Sequence, residues 1–156
     1  SLGAHVWLDA SGQALADGIG AGPDIIKPNR AELTELIGHP LSDTESVVAA
    51  ARELLARPKA PGTVIVSMGG DGALFVNRQE ALLAHPIQTP LISTVGAGDA
   101  MVAGIVASQI AGLSLAHCAR LATAFSASKL ARLGPHLPPP DAVRALAQMV
   151  QISSFS

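Results

Sequence analysis

The sequence predicts an α/β fold built on a mostly parallel sheet. Three observations carry that expectation. Short apolar runs without polar alternation, clearest in TVIVSMG over Thr63–Gly69, are the mark of strands covered on both faces. Stretches of helical period separate them, so the chain reads strand, helix, strand, helix, helix, strand, the order of crossover-connected parallel strands. The bulk numbers allow such a core: 156 residues are about one domain's length, and a chain that is 49% apolar and 14% charged is packed rather than disordered.

Taken in order, AHVWLD over Ala4–Asp9 reads as a buried strand ending in an acid. Ser11–Gly20 follows as a short helix closed by glycine. DIIKPN over Asp24–Asn29 is a second buried strand, stopped by Pro28. Leu33, Leu36 and Ile37 recur at helical spacing in NRAELTELIG, with Gly38 as C-cap. Ser42 or Asp43 opens a further helix that runs to about Arg57. After the strand at Thr63–Gly69 the chain turns at GGDG, and ALFVN and ALLAHPI form a hairpin around NRQE. A helix begins at STVGAGDAMVAG and continues to about Gly112, and a second long apolar one spans Ser114–Leu133. GPHLPPP is a stiff linker, Asp141–Val150 a last amphipathic helix, and the final residues are expected to fray.

Charge and cysteine content narrow the function. A net charge of −2 with no basic block argues against nucleic acid as a partner. One cysteine, Cys118, excludes an internal disulfide and fits a reducing, cytoplasmic setting. No apolar stretch is long enough to span a membrane. The start lacks a basic signal-type region. It also lacks a Met and enters directly on an interior-type strand, so the chain is expected to be a piece of a longer protein.

Three polar clusters fall at strand ends, where open α/β sheets gather ligands. In the first, Gly96, Ala97 and Gly98 offer unobstructed amides at a helix start, an anion site, and Asp99 stands beside it as a carboxylate able to take a hydroxyl's proton. The plain alternative is a helix-start acid behind a tight turn. In the second, Ser67, Met68, Gly69, Gly70, Asp71 and Gly72 end a buried strand in a loop fit for nucleotide phosphates or ribose, or in an ordinary Asp-Gly turn. It is not a P-loop, because the Gly-Lys-Ser/Thr ending is missing. In the third, Asn29 and Glu32 lie three apart, which suits a water-mediated Mg²⁺ site and equally a capping box. Lys27 either meets phosphate or snorkels from its strand end. The histidines His5, His39, His85, His117 and His136 lack metal spacing, Cys118 and Trp7 read as core, and Met101 and Val102 as helix packing.

In this order and combination, STVGAGDAMVAG, KPNRAEL and VIVSMGGDGALFV make the chain resemble the ribokinase-like (PfkB) carbohydrate kinases, from about His5 to Met149. With LATAF, the likeness points to that family's 1-phosphofructokinase and tagatose-6-phosphate kinase branch. The resemblance implies a ribokinase-like doubly wound sheet, in its C-terminal portion and without the lid domain. It implies ATP and Mg²⁺ as cofactors and a small sugar phosphate as substrate, fructose 1-phosphate going to fructose 1,6-bisphosphate. It makes Asp99 the base, Gly96, Ala97 and Gly98 the anion hole, Ser67–Gly72 and Lys27 the nucleotide contacts, and Asn29 and Glu32 the metal-ordering pair. Ala122–Lys129 and the turn near Gly134 would wall the adenine pocket. Ser93 departs from the pattern: many members carry an acid there, which in cation-activated relatives helps hold a monovalent ion.

Family chains are about twice as long, and their first half carries most sugar-phosphate contacts and a lid that often forms the dimer interface. The chain alone is therefore expected to be nearly inactive, to expose apolar edges and to form homo-oligomers. A non-catalytic nucleotide-binding module is the competing reading, to which Asp99 would be superfluous. A Rossmann dehydrogenase is disfavoured, because no early strand opens into GxGxxG.

Overall fold

The computed structural model describes residues 3–132, 134 and 138–155. Its elements in chain order are β1 (Trp7–Leu8), α1 (Gly12–Ile19), β2 (Ile25–Ile26), α2 (Arg30–Ile37), α3 (Thr44–Leu55), β3 (Thr63–Ser67), a 3₁₀ turn (Gly69–Asp71), β4 (Ala73–Asn77), β5 (Ala81–Ala84), α4 (Ala97–Ile110), α5 (Leu115–Leu130), α6 (Pro140–Met149) and β6 (Ile152–Phe155). The strands form one mixed sheet in the order β1 to β6. The first three run parallel, with Trp7 opposite Ile25 and Ile25 opposite Thr63. The α/β expectation is met.

The chain packs as two compact units, the first holding residues within 1–68, 74–81 and 154–156, the second 69–73 and 82–153. In the first, α3 lies on β3. Val47, Ala51 and Leu54 on its inner face, and Val64, Ile65 and Val66 in the strand, are fully buried. Each large apolar side chain so buried contributes roughly 1.5–3 kcal/mol. Both preceding turns are locked by local chemistry. Asp43 and Ser46 form a capping box at α3, and these bonds to Ser46 hold the Asp43 carboxyl below its ordinary value. Gly38 closes α2 in the left-handed region at φ 83°. The hairpin is present too, its tip tied by the Asn77 amide to the Glu80 carbonyl.

The second unit is built on α4 and α5, with α6 packed on α5. Small residues let the first pair approach closely. A Cβ placed on Gly104 would meet the Cα of Ala122 at 2.7 Å, and Ala119, Ala122 and Ala124 are fully buried. Gly104→Val should therefore force the helices apart and cost about 3 kcal/mol, the upper range of overpacking. Urea denaturation measures this, and an unchanged midpoint would contradict the contact.

Four expectations need correction. β1 covers only Trp7–Leu8, and Ala4–Val6 are exposed, because this strand lies at the sheet edge. Trp7 is accordingly half-buried rather than core. The long apolar helix stops at Leu130, three residues early. The last residues do not fray: Ile152–Phe155 is a strand, anchored in the second unit by the His85 amide on the Gln151 carbonyl and by His85 Nε2 against Ser153 Oγ at 2.8 Å. Most of the expected GPHLPPP linker, with His136, lies outside the described residues.

Candidate functional site

In the first unit the parallel register brings the carboxyl ends of β1, β2 and β3 side by side. The Lys27 amide donates to the Leu8 carbonyl at 3.1 Å, and the Ser67 amide to the Pro28 carbonyl at 3.1 Å. Asn29 and Ser67 face each other in an isolated parallel bridge. Lys27, Asn29, Ser67 and Met68 thus share one rim, with Asp9 beside them.

Asp9 is the participant that sequence reasoning passed over. Lys27 is 8% exposed, and its ammonium lies 3.2 Å from Asp9 Oδ1. It does not snorkel. A buried ammonium needs a partner, and the acid that ends the first strand supplies it. Met68 turns inward and receives an Arg30 guanidinium N–H on its sulfur at 3.5 Å. That places its side chain in the packing under the rim.

Asn29 and Glu32 realise the capping box in full. The Glu32 amide donates to Asn29 Oδ1 at 2.9 Å, and the Asn29 amide to Glu32 Oε2 at 2.8 Å. The spacing therefore has a structural cause. It leaves Glu32 Oε1 and the second lone pair of Asn29 Oδ1 as remaining acceptors, a donor set that fits a hard cation held through water and not one gripped directly. Among the described residues, no group of three or more His, Cys, Asp or Glu is placed to hold a metal.

The second unit holds the other two glycine turns. Gly69 and Gly72 take φ of 59° and 92°, and the Gly72 amide closes the 3₁₀ turn on the Gly69 carbonyl at 3.2 Å. A small cavity opens beside it, lined by Gly69, Gly72, Met101, Thr123, Ser126 and Ala127. Met101 therefore faces the cavity as well as packing its helix. Thr123 Oγ1 is buried there without a hydrogen-bond partner among the described residues, whereas the neighbouring Ser128 hydroxyl is satisfied by the Phe125 carbonyl.

Gly96 starts α4 in the left-handed region at φ 79°, and no side-chain cap hydrogen bond closes this helix among the described residues. The amides of a first helical turn have no carbonyl one turn back; here the Ala97 amide donates to the Thr94 carbonyl at 3.3 Å, while those of Gly98 and Asp99 meet no acceptor among the described residues. Asp99 is the third residue of the helix and is exposed. Beside the turn, Lys129 donates from its ammonium to the Gly134 carbonyl. Cys118 is buried, and burial raises its thiol pKa, which keeps it inert. Leu91, Ile92 and Val95, ahead of the turn, are 70%, 53% and 77% exposed. No helix among the described residues is long and apolar enough to cross a membrane.

Comparison with known proteins gives a consistent result. Residues 2–142 match the model of the pfkB family carbohydrate kinases. A 1-phosphofructokinase of Rhodobacter capsulatus is 53% identical over 153 residues, which are 98% of this chain and 48% of that protein. Among solved structures, phosphofructokinase-2 from Escherichia coli in complex with substrates and products aligns at a TM-score of 0.86 and 29% identity, covering 94% of this chain and 47% of that one. An Arabidopsis thaliana ribokinase complexed with ribose and ATP aligns at 0.81 and 25% identity, over 94% and 48%. The chain spans about half the length of the relatives it matches.

Proposed function

The chain belongs to the pfkB family of carbohydrate kinases, and from that premise we propose that it carries the nucleotide side and the general base of an ATP-dependent sugar-phosphate kinase. Fructose 1-phosphate is the acceptor that the Rhodobacter capsulatus relative's name supports, with tagatose 6-phosphate the alternative of the same chemistry. We assign residues 1–156 to the C-terminal part of one ribokinase-like domain, working in the cytoplasm as a homo-oligomer. The lone buried thiol and the exposed Leu91, Ile92 and Val95 support the last two points.

The observation that carries the reading is the Gly96 turn: an uncapped helix start with an exposed carboxylate in its first turn. A helix that only needed an acid would not need a left-handed glycine ahead of it, with the Gly98 and Asp99 amides left open beside the carboxylate. The Asp99 carboxylate takes the proton of the attacking sugar hydroxyl. The amides after Gly96 receive the charge that builds on the transferred phosphoryl oxygens. The Gly69–Gly72 turn and the cavity walled by Thr123, Ser126 and Ala127 hold the nucleoside. Lys27, braced by Asp9, lends positive charge at the strand rim. Asn29 and Glu32 would hold Mg²⁺ through its waters, and the ion would supply charge neutralisation for the phosphates.

The test supplies the first half from the Rhodobacter capsulatus relative as a chimera and follows ADP release. Release that requires both fructose 1-phosphate and Mg²⁺ supports the reading. No release with either fructose 1-phosphate or tagatose 6-phosphate overturns it. Glu32→Gln in the same chimera keeps the capping acceptor and removes the charge, so the Mg²⁺ concentration for half-maximal rate should rise about tenfold, with little change in melting temperature. An unaltered Mg²⁺ requirement would leave Glu32 as a cap alone.

A further inference from the structure

Lys129 stands in the last turn of α5 among small and apolar neighbours. Its aliphatic end lies along the Gly96 turn, so closely that a Cβ on Gly96 would come within 3.0 Å of Lys129 Cε. Its ammonium donates to the Gly134 carbonyl. The same corner is stitched through the backbone, where the Ile92 and Ser93 amides both donate to the Leu130 carbonyl, at 2.8 and 3.2 Å. Three segments meet here: the end of α5, the approach to α4 and the residue at 134.

We propose that Lys129 is a positioning residue for the Gly96–Asp99 turn, its tethered ammonium doing there what a free monovalent cation would otherwise do. The chemistry fits that role. An ammonium has three donors and no acceptor, and one donor is spent on Gly134. Two remain for oxygen atoms at the turn, carbonyl or phosphoryl. The charge is also favoured locally, because the C-terminus of α5 presents the negative end of its dipole. A tethered cation holds its position at any ionic composition, whereas a free one must be recruited from solution each time. The functional meaning of this device rests on the reading of the turn as a phosphoryl site, while its physical basis does not.

The experiment uses the chain itself with Lys129→Met and Lys129→Gln. Melting temperature and hydrogen exchange at residues 96–100 are measured in the chlorides of potassium, ammonium and N-methylglucamine, each at about 0.1 M so that screening is equal. The wild-type chain should melt at one temperature in all three. Each variant should melt about 4 °C lower in N-methylglucamine and recover at least half of that loss in potassium and ammonium, with exchange at the turn following. Variants that melt like wild type in every salt would overturn the inference. So would variants weakened equally in all three, since that marks a packing role only. ATP binding is measured alongside by calorimetry. Cation rescue in a chain that does not bind ATP would remove the phosphoryl reading and leave the tethered cation standing.

Discussion

Asp99→Asn, placed in the chimeric kinase, should lower kcat by about 10³-fold while leaving ATP affinity within roughly threefold. The substitution is close to isosteric, and the residue is exposed, so no buried partner is left unsatisfied. The side-chain oxygen of Asn still suits the first turn of a helix, though loss of the carboxylate's charge there costs about 0.3–1 kcal/mol of stability. What Asn cannot do is accept the hydroxyl's proton. The rate must therefore fall through kcat rather than through nucleotide binding, because the amides after Gly96 and the Gly69–Gly72 turn are untouched. A non-catalytic binding module would show the opposite pattern, with no turnover to lose and an intact affinity. Steady-state ADP release together with calorimetric titration of ATP separates the cases. Turnover within tenfold of wild type would remove Asp99 as the base.

Where local chemistry decides an element, the sequence was a sufficient guide. Thr63–Val66, all of β3 but its last residue, is an unbroken β-branched run. Asn29 with Glu32, and Asp43 with Ser46, announce helix starts that the backbone then uses as capping boxes. The failures lie where distant residues decide. Ile152–Phe155 is four residues with two serines, and only a partner strand makes it a strand. Ala4–Asp9 looks like an interior strand, yet its place at the sheet edge leaves only Trp7–Leu8 paired. Site residues follow the same division. Gly96 and Asp99 are visible as a local pattern. The Asp9–Lys27 pair joins residues eighteen apart across two parallel strands, and the approach of Lys129 to Gly96 joins two helix ends. No window of sequence contains either one. An acid closing the first strand was the available hint for Asp9, and a cation in the last turn of α5, after alanine and serine, the hint for Lys129.

Gly72→Ala should be the most damaging single substitution for stability, at about 4 kcal/mol and a loss of roughly 10 °C in melting temperature. Two independent costs combine. Gly72 sits at φ 92°, a conformation that an L side chain rarely adopts, and an added Cβ would stand 2.2 Å from the Ala84 carbonyl oxygen. That neighbour is backbone at the end of β5, fully buried, so it cannot swing aside as a side chain would. Relief requires either the turn or the strand end to move, and the turn is already closed by the Gly72 amide on Gly69. Gly70 provides the control. It lies two residues away in the same turn, and a Cβ there meets nothing within 4 Å, so Gly70→Ala should change stability by less than about 0.5 kcal/mol. The contrast isolates space and dihedral from any general effect of removing glycine. It also bears on function: Gly72 lines the cavity with Thr123 and Ser126, so a folded Gly72→Ala protein should lose nucleotide affinity as well as stability. Equal melting temperatures for the two alanine variants would show that the turn tolerates a side chain at 72, and the close approach to Ala84 would then be wrong.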